Sequence, residues 1–190
     1  RLNQLPLAIF GIAMGVVLLP SLSKAIKENN KQEIETTQNR SLEFCLLISL
    51  PSAAGLFILS YPIINILFER GAFLSNDTFY TSQVLSIFAL GLPAYILIKV
   101  LVTCFFARED TKTPLYISII SVIINVVLSL LLIGSMREMG IALATAISAW
   151  VNALFLFLIL YFKKNLILDN QLFKSSFKII ISVIIMVIAC

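Results

Sequence analysis

FFAREDTKTP, residues Phe105 to Pro114, is a short charged hairpin between two long apolar blocks that carry almost no charge of their own. The hairpin reads as an aqueous turn. Each flanking block is long enough to cross a bilayer, whose hydrocarbon core of about 30 Å takes roughly 20 apolar helical residues at 1.5 Å rise each. The same alternation runs through the whole chain. Of its 190 residues 59% are hydrophobic and 13% charged, and the mean hydropathy is +1.01, beyond what a water-soluble surface carries. Block length, and the lack of strict two-residue alternation, select helices over the strands of a membrane barrel. The expected fold class is all-α, a polytopic transmembrane helix bundle.

Working outward from the hairpin, the apolar blocks predict spans at Leu5 to Leu22, Leu42 to Phe68, Phe79 to Phe106, Leu115 to Ile133 and Met139 to Phe162, with a sixth beginning near Ile179. Pro6, Pro20, Pro51, Pro62 and Pro93 fall inside these blocks and predict kinks, since neighbouring helices can satisfy the backbone groups a proline frees. Only twelve residues follow Lys178, and the chain opens on Arg1 rather than Met. The expectation is an internal fragment of a longer protein, with residues 163–178 a cytoplasmic connection and 179–190 the truncated start of a further span.

Orientation follows from the loops. Lys24, Lys27, Lys31, Arg40, Arg108, Lys112, Lys163, Lys164, Lys174 and Lys178 fall on one side, against Arg1, Arg70 and Arg137 on the other. The lysine-rich side is expected to be cytoplasmic. The net charge of +4 is therefore a topology signal, and no basic surface interleaved with aromatics points to nucleic acid. There is no histidine, and Cys45, Cys104 and Cys190 lie in or at the end of apolar blocks without metal-ligand spacing. His-based triads and zinc sites are excluded, no cofactor is expected, and the chain does not read as an enzyme. The polar stretches Ser23 to Ser41 and Lys163 to Lys178 read as surface helices, either solvated linkers at the headgroups, where lysines attract anionic lipid, or docking sites.

Polar groups inside spans are costly and therefore informative. Lys99 lies seven residues before Phe106, which allows either snorkelling to the headgroups or a place in a polar cavity. Glu43 is expected to cap the cytoplasmic start of the second span. Asn125 and Ser129 share one helix face, as do Ile141 and Thr145, either as an interhelical hydrogen-bond contact or as a monovalent-cation site. Gly11 and Gly15 have the GxxxG spacing that permits close helix approach. Arg1 sits at the outer edge of the first block, as a boundary residue or as a bidentate phosphate ligand.

Four segments in register resemble the MurJ/MviN lipid II flippases: RLNQLPLAIFGIAMGVVLLPSLSK at Arg1 to Lys24, LFERGAF at Leu67 to Phe73, FFAREDTKTP, and GIALATAISAWVNAL at Gly140 to Leu154. The resemblance covers nearly the whole chain. It implies a parent of the multidrug/oligosaccharidyl-lipid/polysaccharide exporter superfamily in the bacterial cytoplasmic membrane, with fourteen helices in two lobes. Residues 1–162 would then be spans eight to twelve, in the C-terminal lobe, and the N-terminal lobe would be the missing partner. The implied activity is alternating-access movement of lipid II, an undecaprenyl-pyrophosphate-linked disaccharide pentapeptide, to the outer leaflet. The close alternative is a multidrug or polysaccharide exporter of the same superfamily, and the distant one a non-transporting scaffold. Arg1 matches the family's cavity arginine and Lys99 a lysine before the hairpin. Glu69, Arg70 and Gly71, with Arg108, Asp110, Lys112 and Pro114, match its two loop motifs as structural elements. Some members bind sodium at positions matching Asn125, Ile141 and Thr145 with two carboxylates. Here Ser129 stands at one carboxylate position, which leaves sodium, protons and the membrane potential as candidate driving forces.

Overall fold

The computed structural model describes residues 17–189. Arg1, Pro6, Gly11, Gly15 and most of the first expected span lie outside the described residues. Seven helices follow: α1 (Leu19–Lys27), α2 (Lys31–Ile58), α3 (Ser60–Phe68), α4 (Ser75–Phe106), α5 (Lys112–Met136), α6 (Glu138–Phe162) and α7 (Asn170–Ala189). The fold is all-α, and α2, α4, α5, α6 and α7 are each long and apolar enough to cross a membrane. With 32 residues, α4 is about 48 Å long at 1.5 Å per residue, more than the hydrocarbon thickness.

α4 is the central post. It packs against α2 and α3 on one side and α6 on the other, while α5 leans on α6 and α7 on α2. Leu92, Ile96, Leu101 and Phe105 of α4 meet Leu22 of α1, Leu42 and Cys45 of α2, and Leu156 and Leu160 of α6 in one buried core. α6 reaches its neighbours through small buried residues, Gly140, Ala142, Ala144, Ala146, Ala149 and Ala153, because lipid offers no hydrophobic gain for helix association and close backbone contact must supply it. The outer face of α5 carries Leu130 and Leu131, about 70% exposed.

Three expected boundaries are corrected. The block Leu42 to Phe68 is two helices, broken at Leu59 (φ −90°, ψ 13°). The cause is Pro62, which has no N–H for the Ile58 carbonyl and whose ring would collide with it. Ser60 Oγ donates to the Phe57 carbonyl at 3.1 Å across the break. Second, α2 starts at Lys31, with Asn30 Oδ1 accepting from the Glu33 amide and Asn30 Nδ2 donating to Glu33 Oε2, a reciprocal cap. The surface helix expected over Ser23 to Ser41 is present as the end of α1 and the first turns of α2, exposed from Lys27 to Glu33, while Gln38, Asn39 and Ser41 are buried. Glu43, far inside the helix, caps nothing and pairs with Arg40 one turn earlier. Third, the helix expected from Ile179 begins at Asn170, so the connection after α6 is only the extended strap of residues 165–169.

Candidate functional site

The polar residues on α5 and α6 meet, and they meet each other. Asn125 Nδ2 donates to Thr145 Oγ1 at 3.2 Å and to Ser148 Oγ at 3.0 Å. Both hydroxyls spend their own protons on backbone, Thr145 on the Ile141 carbonyl at 2.8 Å and Ser148 on the Thr145 carbonyl at 3.0 Å. They face Asn125 only as acceptors, so the amide nitrogen is the group they need. One turn away Ser121 Oγ donates to the Ser148 carbonyl at 2.7 Å. Ser129 Oγ is buried without a partner. The arrangement is a helix–helix contact in which Asn125 bridges the two hydroxyl oxygens, with no carboxylate beside it among the described residues. Ser121 and Ser148 escaped the sequence reading, although Ser121, Asn125 and Ser129 recur at four-residue spacing along one face.

Lys99 is exposed on α4 and makes no ion pair among the described residues. Its carbonyl accepts from Thr103 Oγ1 at 2.8 Å. None of the described helices covers its side chain, which is compatible with either of the two roles inferred from sequence.

The loop motifs act as fasteners. At the outer end, Glu69 Oε2 accepts from Asn65 and, at 2.8 Å, from the fully buried Thr78, tying α3 to α4 across a turn in which Gly71 takes φ +60°. Arg70 Nη2 reaches the Ile66 carbonyl at 3.4 Å. At the cytoplasmic end, Asp110 caps α5: its carboxylate accepts the Thr113 amide at 3.0 Å, the Thr113 hydroxyl at 2.8 Å and Lys163 Nζ at 3.0 Å. Pro114 is buried in the first turn, as a residue with no N–H to satisfy can be, and Lys112 is exposed. Arg108 bridges the Cys104 carbonyl at 2.9 Å and the Asn165 carbonyl at 2.8 Å; burial pushes its guanidinium below its usual pKa. Asn39 completes the array, donating to the Ile167 carbonyl at 2.9 Å and accepting the Asp169 amide at 3.3 Å. Three connections that the lysine count places in the cytoplasm are thus joined at one end of the bundle.

The Thr113 amide, then the Lys163 ammonium, lowers the Asp110 carboxyl to about 2. A depressed carboxylate stabilises the fold fully above its unfolded value of about 3.9 and ceases to do so as pH falls through the folded one. Solvent screening at this aqueous surface discounts the shift, so Asp110→Asn is expected to cost on the order of 1 kcal/mol at pH 7, with the gap to the wild type closing between about pH 4 and pH 2. Thermal unfolding of both proteins in detergent across that range checks it.

Comparison with known proteins bears on what this arrangement belongs to. The family model described as lipid II flippase MurJ matches residues 1–190. The chain belongs to that family. A probable lipid II flippase MurJ of Rhizobium tropici is 45% identical over 186 residues, 98% of this chain and 35% of that protein. Another from Rickettsia prowazekii (strain Madrid E) is 47% identical over 152 residues, 80% of this chain and 30% of that protein. Among solved structures, a lipid II flippase MurJ in an inward closed conformation superposes with a TM-score of 0.82 at 30% identity, over 99% of this chain and 40% of that one. The chain therefore spans about a third of the length of the curated relatives it matches. Membership in the MurJ family, with five long apolar helices, makes it a multi-pass protein of the bacterial cytoplasmic membrane.

Proposed function

We propose that the chain is part of the C-terminal lobe of a lipid II flippase, and that the complete protein moves the undecaprenyl-pyrophosphate-linked peptidoglycan precursor from the cytoplasmic to the outer leaflet by alternating access. The observation that carries this is the family match over residues 1–190. The physical problem is a large polar headgroup with a pyrophosphate, which a cationic cavity can desolvate at lower cost while the polyprenyl tail stays in lipid. Arg1 supplies a guanidinium suited to bidentate phosphate contact, and Lys99 a second cation from α4. No carboxylate lies in mid-span among the described helices beyond the Arg40-paired Glu43 near the cytoplasmic end, which suits an anionic cargo better than the cationic drugs an exporter would carry. The cargo's negative charge also lets an inside-negative membrane potential drive export, at about 2.3 kcal/mol per charge per 100 mV. No step is assigned to sodium.

The test uses the full-length protein in cells depleted of their own flippase. Losing the paired hydrogen bonds of Arg1 to a phosphate costs about 2–3 kcal/mol, roughly 30- to 150-fold in affinity. Arg1→Ala is expected to abolish rescue and Arg1→Lys to restore it only in part, with both proteins present in the membrane at wild-type levels. Undiminished rescue by Arg1→Ala would remove Arg1 from the cargo path.

A further inference from the structure

Two consecutive lysines at the end of α6 have opposite fates. Lys163 turns inward, to Asp110 at 3.0 Å and over the Phe105 ring at 5.9 Å. Lys164 takes a left-handed backbone conformation, φ 55°, and is exposed. It lines an open cleft of about 630 Å³ with Tyr161 and Phe162 from the end of α6, Leu166 and Leu168 from the strap, and Phe173 from the first turn of α7. The cleft has no acidic residue in its lining. Asp169, the acid of the strap, lines the adjoining polar crevice with Glu35 and Asn39, across Ile167 and Leu168 from the cleft, and lies 3.9 Å from Arg40.

We propose that this cleft is a binding site for an anionic phospholipid of the cytoplasmic leaflet, with Lys164 on the headgroup phosphate and an acyl chain against the exposed Phe162, Ile167 and Phe173. Depth, shape and charge agree on that occupant. The strap lies at the level of the charged hairpin, through Lys163–Asp110 and Arg108 to the Asn165 carbonyl, which is where headgroups of the inner leaflet sit. Aromatic side chains at such a boundary have one apolar side and one wet edge, and Tyr161 and Phe162, exposed at the end of α6, suit that zone. An exposed ammonium beside an apolar, acid-free lining attracts an anion without competition from a neighbouring carboxylate, and a bilayer lipid brings a phosphate with the apolar chains to fill the rest. The site rests on the membrane topology and not on the cargo, so it stands or falls apart from the flippase reading.

Native mass spectrometry of the full-length protein in detergent, offered phosphatidylglycerol or phosphatidylcholine of matched chains, tests it. The wild type is expected to retain phosphatidylglycerol in roughly fivefold excess, the contribution of one lysine near an anionic headgroup. K164A should reduce that excess to about one, K164R should keep it, and K178A, at the separate α2–α7 cleft with Leu47 and Pro51, should leave it unchanged. Because the Lys164 side chain is exposed, K164A is expected to melt with the wild type, which separates lost binding from lost fold. An excess that survives K164A, or one that is lost equally with K178A, overturns the site. So does displacement of the retained phosphatidylglycerol by an equimolar undecaprenyl pyrophosphate, which would assign the cleft to the cargo.

Discussion

Gly140→Val is expected to prevent accumulation of folded full-length protein, and Gly140→Ala to lower its stability by about 1–3 kcal/mol, the usual cost of overpacking. A Cβ at Gly140 would stand 2.7 Å from the Leu132 carbonyl oxygen and 2.8 Å from its carbon. These are backbone atoms of α5 and cannot swing aside as a side-chain tip could. The contact exists because α5 and α6 join through a turn at Arg137 alone (φ 49°, ψ −128°), so the helices leave the turn already touching. The hydrogen bonds from Asn125 and Ser121 to α6 lie further along the same seam, and spreading the seam at Gly140 would stretch them too. Gly134 is the control. A Cβ there meets nothing within 4 Å, and since alanine is the better helix former by up to about 1 kcal/mol, Gly134→Ala should be neutral or stabilising. Fluorescence-detected thermal unfolding in detergent decides between the two signs. Equal melting of Gly140→Ala and wild type would mean that the α5–α6 approach is looser than the structure has it.

The membrane class and the order of the spans were legible because hydropathy sums over some twenty residues, and a stray proline or serine does not change the sum. The break at Leu59 was half legible. Pro62 announces a disturbance, but whether the helix bends or stops depends on whether neighbours satisfy the Ile58 carbonyl, which is a tertiary matter. The starts of α2 and α7 are written locally, in Asn30 with Glu33 and in Asp169, which accepts the Gln171 amide; the apolar blocks, which begin later than the helices do, hide that each surface segment runs on into its span. The Asn125 and Thr145 contact could be anticipated from helix faces, whereas Ser148 needed the rotation of α6 against α5. Asn39 could not be anticipated at all. It looks like one more polar residue in a lysine-rich stretch, and its partners in the strap follow it by about 130 residues.

For that reason Asn39 carries the sharpest test of how α7 is held. α7 packs on α2, and little of its surface is buried, so its position depends heavily on the strap that leads into it. Asn39, 2% exposed, binds that strap at both faces of its amide, the nitrogen to the Ile167 carbonyl and the oxygen to the Asp169 amide, while its nitrogen also reaches the Glu35 carbonyl at 2.9 Å. Asn39→Ala leaves the Ile167 and Asp169 groups without those partners, at about 1–3 kcal/mol for each that stays buried. The expected total is about 2–4 kcal/mol, because the strap can lift towards water and recover part of the loss. Asn39→Asp should be no milder: it keeps the acceptor for the Asp169 amide, but sets an oxygen against the Ile167 carbonyl and a second negative charge near Asp169. Arg40, 3.9 Å from Asp169 and partly exposed, offsets little of that charge, since exposed pairs contribute about 0–1 kcal/mol. Hydrogen exchange of the full-length protein reads the consequence locally. Both variants should lose at least about tenfold protection, the equivalent of 1.4 kcal/mol, at the Asp169 amide and through the first turns of α7. The α5–α6 seam, fastened by its own hydrogen bonds, should exchange as in the wild type. Unchanged protection at Asp169 would mean that Arg108 and the apolar contacts of Leu166 and Leu172 hold the strap without Asn39.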